Sequence, residues 1–230
     1  MEKLGEVEDS IDKLEAGLDN YLVRLSDHAL TPEDSSRVSE LLHTLSDFER
    51  IGDYVVNVAE CAEAMEERGI VFSKKARFEL ETLNKAVGEI IDKAITCYET
   101  QDTRLAAMVE PLEEVIDLMR DELRNRHIER LKAGDCTIET GTQFLELLIN
   151  LERVADHCSN VAMYIIREEA KEGDPIRENS HLYLHQLHEG GSDKGFDQMY
   201  GEYKAQYYNV LKEPEAQEVP PMFREGATKA

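Results

Sequence analysis

The sequence predicts an all-α protein made of two tandem antiparallel helical bundles, followed by a C-terminal helical tail. The two bundles are repeats of one three-helix bundle. Apolar residues recur at steps of three and four through most of residues 4–171, which is the spacing of one helix face. No stretch alternates with a period of two, so no sheet is predicted. A nine-residue pattern, E-R-[IV]-[GA]-D-x-x-x-N, occurs at residues 49–57 and again at 152–160. The duplication indicates that both bundles follow one plan.

The first half, residues 4–68, is predicted to be a hairpin of helices at about 4–29 and 32–68. The first helix has apolar residues at regular helical steps, namely Leu4, Val7, Ile11, Leu14, Leu18, Leu22 and Leu25. Thr31 followed by Pro32 and Asp34 is typical of a helix start, with a capping hydroxyl, a proline at the first position and an acid three residues later. Gly69, directly after the last periodic residues, ends the second helix.

The second half, residues 73–171, is predicted to contain three helices. The first begins at Ser73 and runs to about Thr100, and the second follows the cap Asp102 and covers about 103–132. Pro111 marks a kink or a restart within it. A turn at 132–135 leads to the third helix at about 136–171. The helix that begins at Ser73 has no counterpart before residue 4, so the first bundle is predicted to lack its first helix.

The tail differs in composition from the two halves. Residues 174–211 are predicted to be a helical extension with a tyrosine-rich stretch at about 196–211, and residues 212–230 a disordered end. His181, His185 and His188 lie at helical spacing in this extension, where weak metal capture is an alternative to a purely structural role.

A second acidic pair extends the repeat. Four E-x-x-x-D pairs result, two on each half: Glu8/Asp12, Glu49/Asp53, Glu113/Asp117 and Glu152/Asp156. A spacing of four places both carboxylates of a pair on one helix face, where like charges destabilise the helix by about 0.2–0.5 kcal/mol unless a cation lies between them.

The turns predict that these pairs meet. In an antiparallel hairpin, residues equidistant from the turn lie at the same level. Asp12 is as far from the turn at residues 30–31 as Glu49, and Glu8 is as far from it as Asp53. The second half repeats the relation around residues 134–135: Asp117 lies level with Glu152 and Glu113 with Asp156. Each hairpin should therefore gather four carboxylates, which are ligands for a hard cation.

The charge excludes several function classes. The chain has 49 acidic and 26 basic residues, a formal charge of -23. Such a field repels nucleic acids and anionic lipid, and it favours metal cations and basic protein partners. No apolar run approaches the length of a membrane span, there is no signal peptide, and the four cysteines form no C-x-x-C pair. These features predict a cytoplasmic chain with reduced thiols.

Simpler interpretations remain open for the acids. E-x-x-x-D is common in so acidic a chain, Glu15 and Asp19 also fit it, and acids of this kind can be a solvated face. Arg50 and Arg153 could neutralise the pairs, although one residue further on the helix they should point elsewhere. His157 follows the acid in only one copy, where Tyr54 stands in the other, which favours a structural histidine over a ligand. For the repeated asparagines, Asn57 and Asn160, the alternative is a role as hydrogen-bonding groups at helix contacts.

These motifs resemble the PhoU family of phosphate-transport regulators, whose repeats contain a helix with L-E-R-I-[GA]-D. The matching stretches are residues 45–53 and 150–156. Residues 21–26, Thr31, residues 41–43 and residues 196–203 look more like the cytosolic PhoU-like domain fused behind sodium/phosphate cotransporters. The resemblance covers about residues 4–210. It implies two side-by-side three-helix bundles with surface metal clusters of iron or zinc, with magnesium and manganese as alternatives.

By resemblance, the ligands are Glu49, Asp53, Glu152 and Asp156, and the implied function is metal-dependent regulation of phosphate uptake without enzymatic activity. The implied partner is a membrane phosphate transporter or its transmembrane part, at the inner face of the plasma membrane, without lipid insertion. The missing helix could come from an upstream segment, the tail helix or a second copy in a homodimer. Two alternatives stay open. One is a metal-free adaptor. The other is a di-iron carboxylate oxidase, for which Glu40 and His43 supply one Glu-x-x-His and the repeat supplies none.

Overall fold

The computed structural model describes residues 2–170, 183–184, 187–189 and 193–212, and all of its regular elements are helical. In chain order they are α1 (Glu2–Ser26), α2 (Pro32–Arg68), α3 (Lys74–Thr100), α4 (Thr103–Ala106), α5 (Val109–Ala133), α6 (Ile138–Glu169) and α7 (Lys194–Tyr203). A π-helical turn, Lys204–Tyr208, and a 3-10 turn, Asn209–Lys212, continue α7. The predicted all-α class is confirmed. The predicted end at 212–230 lies, except for Lys212, outside the described residues.

Side-chain caps set most helix starts where the sequence predicts them. The hydroxyls of Thr31 and Ser73 accept hydrogen bonds from the backbone N–H groups of Asp34 and Ala76. Asp102 caps α4 in the same way. At the other ends, Gly69 and Gly134 close α2 and α5 in the left-handed conformation, at φ of 64° and 77°, which glycine adopts without a steric penalty.

Pro111 marks a restart rather than a kink. The predicted helix at 103–132 is broken into the single turn α4 and the long α5, and Pro111 is the third residue of α5. The first four N–H groups of a helix have no intrahelical acceptor, so a proline there leaves no carbonyl unpaired. The last helix begins at Ile138 because Thr137, rather than a residue nearer the turn, provides the cap.

The core lies in the second half. α3, α5 and α6 pack against one another as a three-helix bundle, and α2 packs along α6 so that the two halves lie side by side. Fully buried side chains such as Leu83, Ile116 and Phe144 fill this bundle. α1 has α2 as its main neighbour, so the first half is a helical hairpin attached to a complete bundle.

The described part of the tail, with its tyrosine-rich helix, packs on the second half and does not complete the first. α7 lies against α5, and the π-helical turn contacts both α5 and α3. Tyr203, Tyr207 and Leu211 are buried there, and Arg126 of α5 donates a hydrogen bond to the Leu211 carbonyl at 2.7 Å. The idea that the tail replaces the missing first helix is therefore wrong.

Candidate metal centres

Each helical hairpin brings three acidic side chains together. The first trio is Glu8 and Asp12 of α1 with Asp53 of α2, and the second trio is Glu113 and Asp117 of α5 with Asp156 of α6. In each trio, one carboxylate oxygen per residue lies within 4.8 Å of the others. The antiparallel geometry predicted from the turns thus holds for six of the eight candidate acids.

The remaining two candidates lie beside the trios. Glu152 is paired with Arg120 at 3.3 Å and approaches Arg153 at 3.6 Å. Glu49 lies 3.6 Å from Arg50, one helical turn before Asp53. Burial, and then the neighbouring Asp53, raises the pKa of Glu49. Both glutamates lie one helical turn before the aspartate of their trio, outside the group of three.

The arginines of the repeated motif do not point elsewhere, and that expectation is wrong. Arg153 donates a hydrogen bond to the Asp156 carboxylate at 3.1 Å, and Arg50 lies 3.9 Å from the Asp53 carboxylate. A residue three positions before another shares its helix face, and a long guanidinium side chain reaches it. Each motif therefore carries a partial counter-charge for its own aspartate.

Arg120 makes the two centres unequal, and sequence reasoning missed it. It contacts Asp117 at 3.2 Å and Glu152 at 3.3 Å, on the rim of the second trio. At the offset that aligns α1 with α5, the residue that corresponds to Arg120 is Glu15. The pKa of Glu15 is raised by burial and by Asp19. This single exchange was visible in the sequence and gives the first centre more negative charge than the second.

The second trio is the more buried of the two. Glu113 is only 9% exposed, and its pKa is raised well above the ordinary value because burial disfavours the charged form and Glu110 and Asp117 repel it. Burial, and then Asp117, also raises the pKa of Asp156. In the first trio Asp12 is exposed and Glu8 is half-buried, and the pKa of Glu8 is raised chiefly by the charge of Asp12.

Glu113 lacks a counter-charge of its own. Among the described residues it has no hydrogen-bond donor and no cationic side chain, although Asp117 and Asp156 beside it each have an arginine. A buried carboxylate without such a partner is costly unless it is protonated or binds a cation. The oxygen-only donor set fits a hard cation that binds between the three acids.

His157 and Asn160 belong to a structural network. The buried Asp47 of α2 accepts a hydrogen bond from the Asn160 amide at 3.0 Å, and it also contacts His157 Nδ1 at 2.7 Å. Tyr54 stacks on the His157 ring with centroids 5.7 Å apart. These contacts join α2 to α6 and turn His157 away from ligation. Asp47 was not singled out from the sequence, where nothing but its place next to the motif distinguishes it.

His188 lies at the rim of the second centre. Its Nε2 is 2.7 Å from Glu110 and its Nδ1 is 2.8 Å from Glu114, one helical turn from the trio. The hydrogen bond to Glu110 raises the pKa of His188. Ser159 also donates a hydrogen bond to Glu110. His181 and His185 lie outside the described residues.

The Glu-x-x-His of the oxidase alternative lies apart from both trios. Glu40 is 3.8 Å from Arg167, and the His43 ring stacks on Tyr164 with centroids 6.3 Å apart. These contacts occupy both side chains at the α2–α6 contact. Among the described residues, both clusters of possible metal ligands consist of carboxylates alone. Neither contains the histidines that a di-iron centre of this kind needs.

Comparison with known proteins identifies the family. The profile of the PhoU domain matches residues 1–62 and 80–165. A phosphate-specific transport system accessory protein PhoU homolog from Thermotoga maritima is 29% identical over 126 residues, which are 55% of this chain and 53% of that protein. The chain thus matches about half the length of that relative. A homolog from Deinococcus radiodurans is 26% identical over 163 residues, 69% of this chain and 75% of its own length.

Solved structures agree on the fold. The crystal structure of PhoU from Pseudomonas aeruginosa superposes with a TM-score of 0.66 at 23% identity, over 72% of this chain and 78% of that one. PhoU from Streptococcus pneumoniae, a phosphate transport system regulatory protein, gives 0.63 at 21% identity, over 74% and 79%. No helix among the described residues is apolar enough over a sufficient length to cross a bilayer. Because the two stretches that match the PhoU domain together cover more than half of this chain, the chain belongs to the PhoU domain family.

Proposed function

We propose that this chain is a metal-binding regulatory domain of phosphate uptake, and that the second trio is its principal metal centre. The observation that carries the proposal is the buried Glu113 carboxylate, which lies beside Asp117 and Asp156 and has no cationic partner of its own among the described side chains. A bound divalent or trivalent ion would supply the missing charge. It would also join α5 to α6 at the level of the repeated motif.

The donor chemistry narrows the choice of metal. The three carboxylates, and Glu152 one helical turn before Asp156, offer only oxygen ligands. Oxygen sites suit magnesium, manganese and hard forms of iron, whereas structural zinc sites are built mainly from cysteine and histidine. His188 is the nearest nitrogen donor, and both of its ring nitrogens are engaged by Glu110 and Glu114. We therefore rank iron and manganese above zinc.

The two centres are proposed to differ in affinity. In the second trio Glu113 is buried, and a less hydrated carboxylate attracts a cation more strongly. In the first trio Asp12 is exposed, so water screens its charge, although Glu15 adds negative charge where the second centre has Arg120. We expect the first centre to bind the same ion more weakly and to exchange it faster.

The link to phosphate transport comes from the family. The similar proteins are named accessory proteins of phosphate-specific transport systems, and we propose an accessory role of that kind here. The proposed partner is a membrane phosphate transporter, of the sodium/phosphate cotransporter type, contacted from the cytoplasmic side. The acidic surface, with a net charge of -23, suits a basic protein partner and opposes nucleic acid or anionic lipid. We assign no enzymatic activity.

Metal analysis tests the proposal. The untagged protein, incubated with Fe²⁺ or Mn²⁺ and desalted, should retain about one ion per chain, and the double variant Glu113→Gln/Asp156→Asn should lose it. Glu63→Gln/Glu67→Gln is the control, because it also removes two negative charges, from exposed acids of α2 that belong to neither trio. Equal metal content in all three proteins would reject the centre. Uptake of labelled phosphate, in cells deleted for their own PhoU, separately tests the transport role.

A metal-free adaptor is the second candidate, and the arginines favour it. Arg120 and Arg153 already offset part of the charge of Asp117, Glu152 and Asp156. If these ion pairs neutralise the acids well enough without a metal, the trio would be a structural feature of the bundle. Such an adaptor would show the same melting temperature with and without added metal.

A further inference from the structure

α1 has an apolar surface that no described element covers. Val7, Leu14, Leu18 and Tyr21 follow one another at steps of seven, four and three, so they lie along one stripe of the helix. Their exposed fractions are 50%, 65%, 44% and 64%. We call these four residues the α1 face. The adjacent side of α1 packs on α2, where Ile11 lies against Gly52, so the α1 face is a second apolar side.

The second half shows what such a face meets when its bundle is complete. At the offset that aligns the acidic pairs, three residues of the α1 face, Val7, Leu14 and Leu18, correspond to residues of α5. These are Leu112, Met119 and Leu123, and each of them is fully buried. They share one core cluster with Leu83, Val87 and Ile90 of α3. In the first half, no described helix occupies the place that α3 takes on α5.

The domain matches agree with this difference. The PhoU domain profile matches residues 80–165 in the second half, and the shorter stretch 1–62 in the first. The difference in length is roughly that of one helix such as α3. The exposed stripe of α1 therefore lies where a third helix would pack in a three-helix bundle. It is not a scatter of single apolar residues, which every surface has.

The charge of the first half indicates what kind of helix fits. Residues 2–68 contain 18 acidic and six basic side chains. A second copy of the same chain would bring a like charge to the interface, whereas a helix with a basic polar side would be attracted. The register gives one more constraint. Glu79 of α3 pairs with Arg126 and Arg130 of α5 at 3.4 and 2.6 Å, and their counterparts on α1 are Tyr21 and Leu25. A helix that packs on α1 in this register therefore needs an apolar residue, in place of the glutamate, opposite Tyr21 and Leu25.

We propose that the α1 face is the docking site for one amphipathic helix of a partner protein. This helix lies on α1 and α2 as α3 lies on α5 and α6, and its polar side is basic. It places an apolar residue opposite Tyr21 and completes the first three-helix bundle. The proposal does not depend on metal binding.

A designed peptide tests the docking site. It is a 27-residue peptide with the apolar positions of α3, leucine in place of Glu79, and lysine in place of the other acids. Labelled with a fluorophore, it should bind the full chain saturably at 1:1 in an anisotropy titration. Leu14→Asp and Leu18→Asp should each weaken binding by about tenfold or more, because each removes a leucine contact and introduces a buried charge.

Two controls separate docking from charge attraction. Val71→Asp and Ile138→Asp change residues that are 72% and 83% exposed outside the α1 face, and they should leave the affinity unchanged. A scrambled peptide of equal charge should bind weakly and without saturation. Peptide binding that is absent, or that is insensitive to Leu14→Asp, overturns the proposal.

Self-association is the remaining outcome, and it also decides the question. If sedimentation of the chain alone shows a dimer that Leu14→Asp dissociates, a second copy occupies the face and the partner-helix proposal fails. Metal content measured on the same samples keeps this result apart from the metal centre, since the α1-face variants should retain the ion at the second trio.

Discussion

Glu113 of α5 and Asp156 of α6 face each other at the same level of an antiparallel hairpin, with carboxylate oxygens within 4.8 Å. Glu113 is nearly buried, and Asp156 is paired with Arg153 on its outer side. The contact therefore places an unneutralised carboxylate against a partly neutralised one. Four predictions follow from this arrangement and from the packing that holds it.

Metal should stabilise the fold through the second trio. A ligand that binds only the folded chain at about 100 times its dissociation constant adds about 2.7 kcal/mol to the free energy of unfolding. For a chain of this size, that corresponds to a rise of roughly 5–10 °C in the melting temperature. Differential scanning fluorimetry with Mn²⁺ should show the rise in the wild type. It should be lost in Glu113→Gln/Asp156→Asn and kept in Glu63→Gln/Glu67→Gln.

Without metal, the chain should become more stable as the pH falls from 7 towards 5. The pKa values of Glu113, Asp156 and Glu152 are raised in the folded state, chiefly by burial. Their ionisation therefore opposes folding, and the penalty grows as the pH rises from the ordinary carboxyl pKa through the raised values. Glu113→Gln should flatten the dependence in urea unfolding, and it should stabilise the apo protein at pH 7 by about 1–3 kcal/mol. A curve identical to that of the wild type would contradict the assignment of the buried charge.

Two glycine-to-alanine substitutions should have opposite effects on stability. A Cβ at position 141 would lie 2.6 Å from His127 Nε2, and His127 is held by stacking on Phe144. Gly141→Ala should therefore destabilise the α5–α6 contact by about 1–3 kcal/mol. At Gly88, on the exposed side of α3, a Cβ meets nothing within 4 Å. Gly88→Ala should stabilise the chain by about 0.5–1 kcal/mol, as measured by urea unfolding. Equal effects would contradict the close approach of the helices at Gly141.

Glu79 should be essential to the α3–α5 contact. It is 1% exposed and pairs with Arg130 at 2.6 Å and with Arg126 at 3.4 Å. Glu79→Ala leaves two largely buried guanidinium groups without their carboxylate, which should destabilise the chain by about 3–5 kcal/mol. Glu81→Ala, at a partly exposed position of the same helix, should change stability by less than about 0.5 kcal/mol. A loss at Glu79 as small as that at Glu81 would show that the pair is not formed in solution.

Helix geometry accounts for the part of the site that was predictable. The spacing within Glu113/Asp117 and the distance of Asp156 from the turn at Gly134 are enough to place the three acids together, because an antiparallel hairpin fixes which residues are level. The same reasoning could not fix Glu152. Its side chain contacts Arg120 and Arg153. Whether it pairs with these arginines or joins the three acids depends on side-chain rotamers and on the charge of Arg120 from another helix.

The limits of prediction in the fold have a similar cause. Caps at Thr31, Ser73 and Asp102 are local, so the sequence alone locates these helix starts. The position of the tail on α5 depends on long-range contacts such as Arg126 with the Leu211 carbonyl, which no periodicity reveals. Asp47 likewise gains its role only when α6 brings His157 next to it.

Anomalous diffraction from a crystal grown with iron or manganese would test the central claim most directly. The account predicts an anomalous peak between the carboxylates of Glu113, Asp117 and Asp156, at about 2.0–2.3 Å from their oxygens. Ordered carboxylates that are turned apart into solvent, with no anomalous signal in the presence of ample metal, would contradict it.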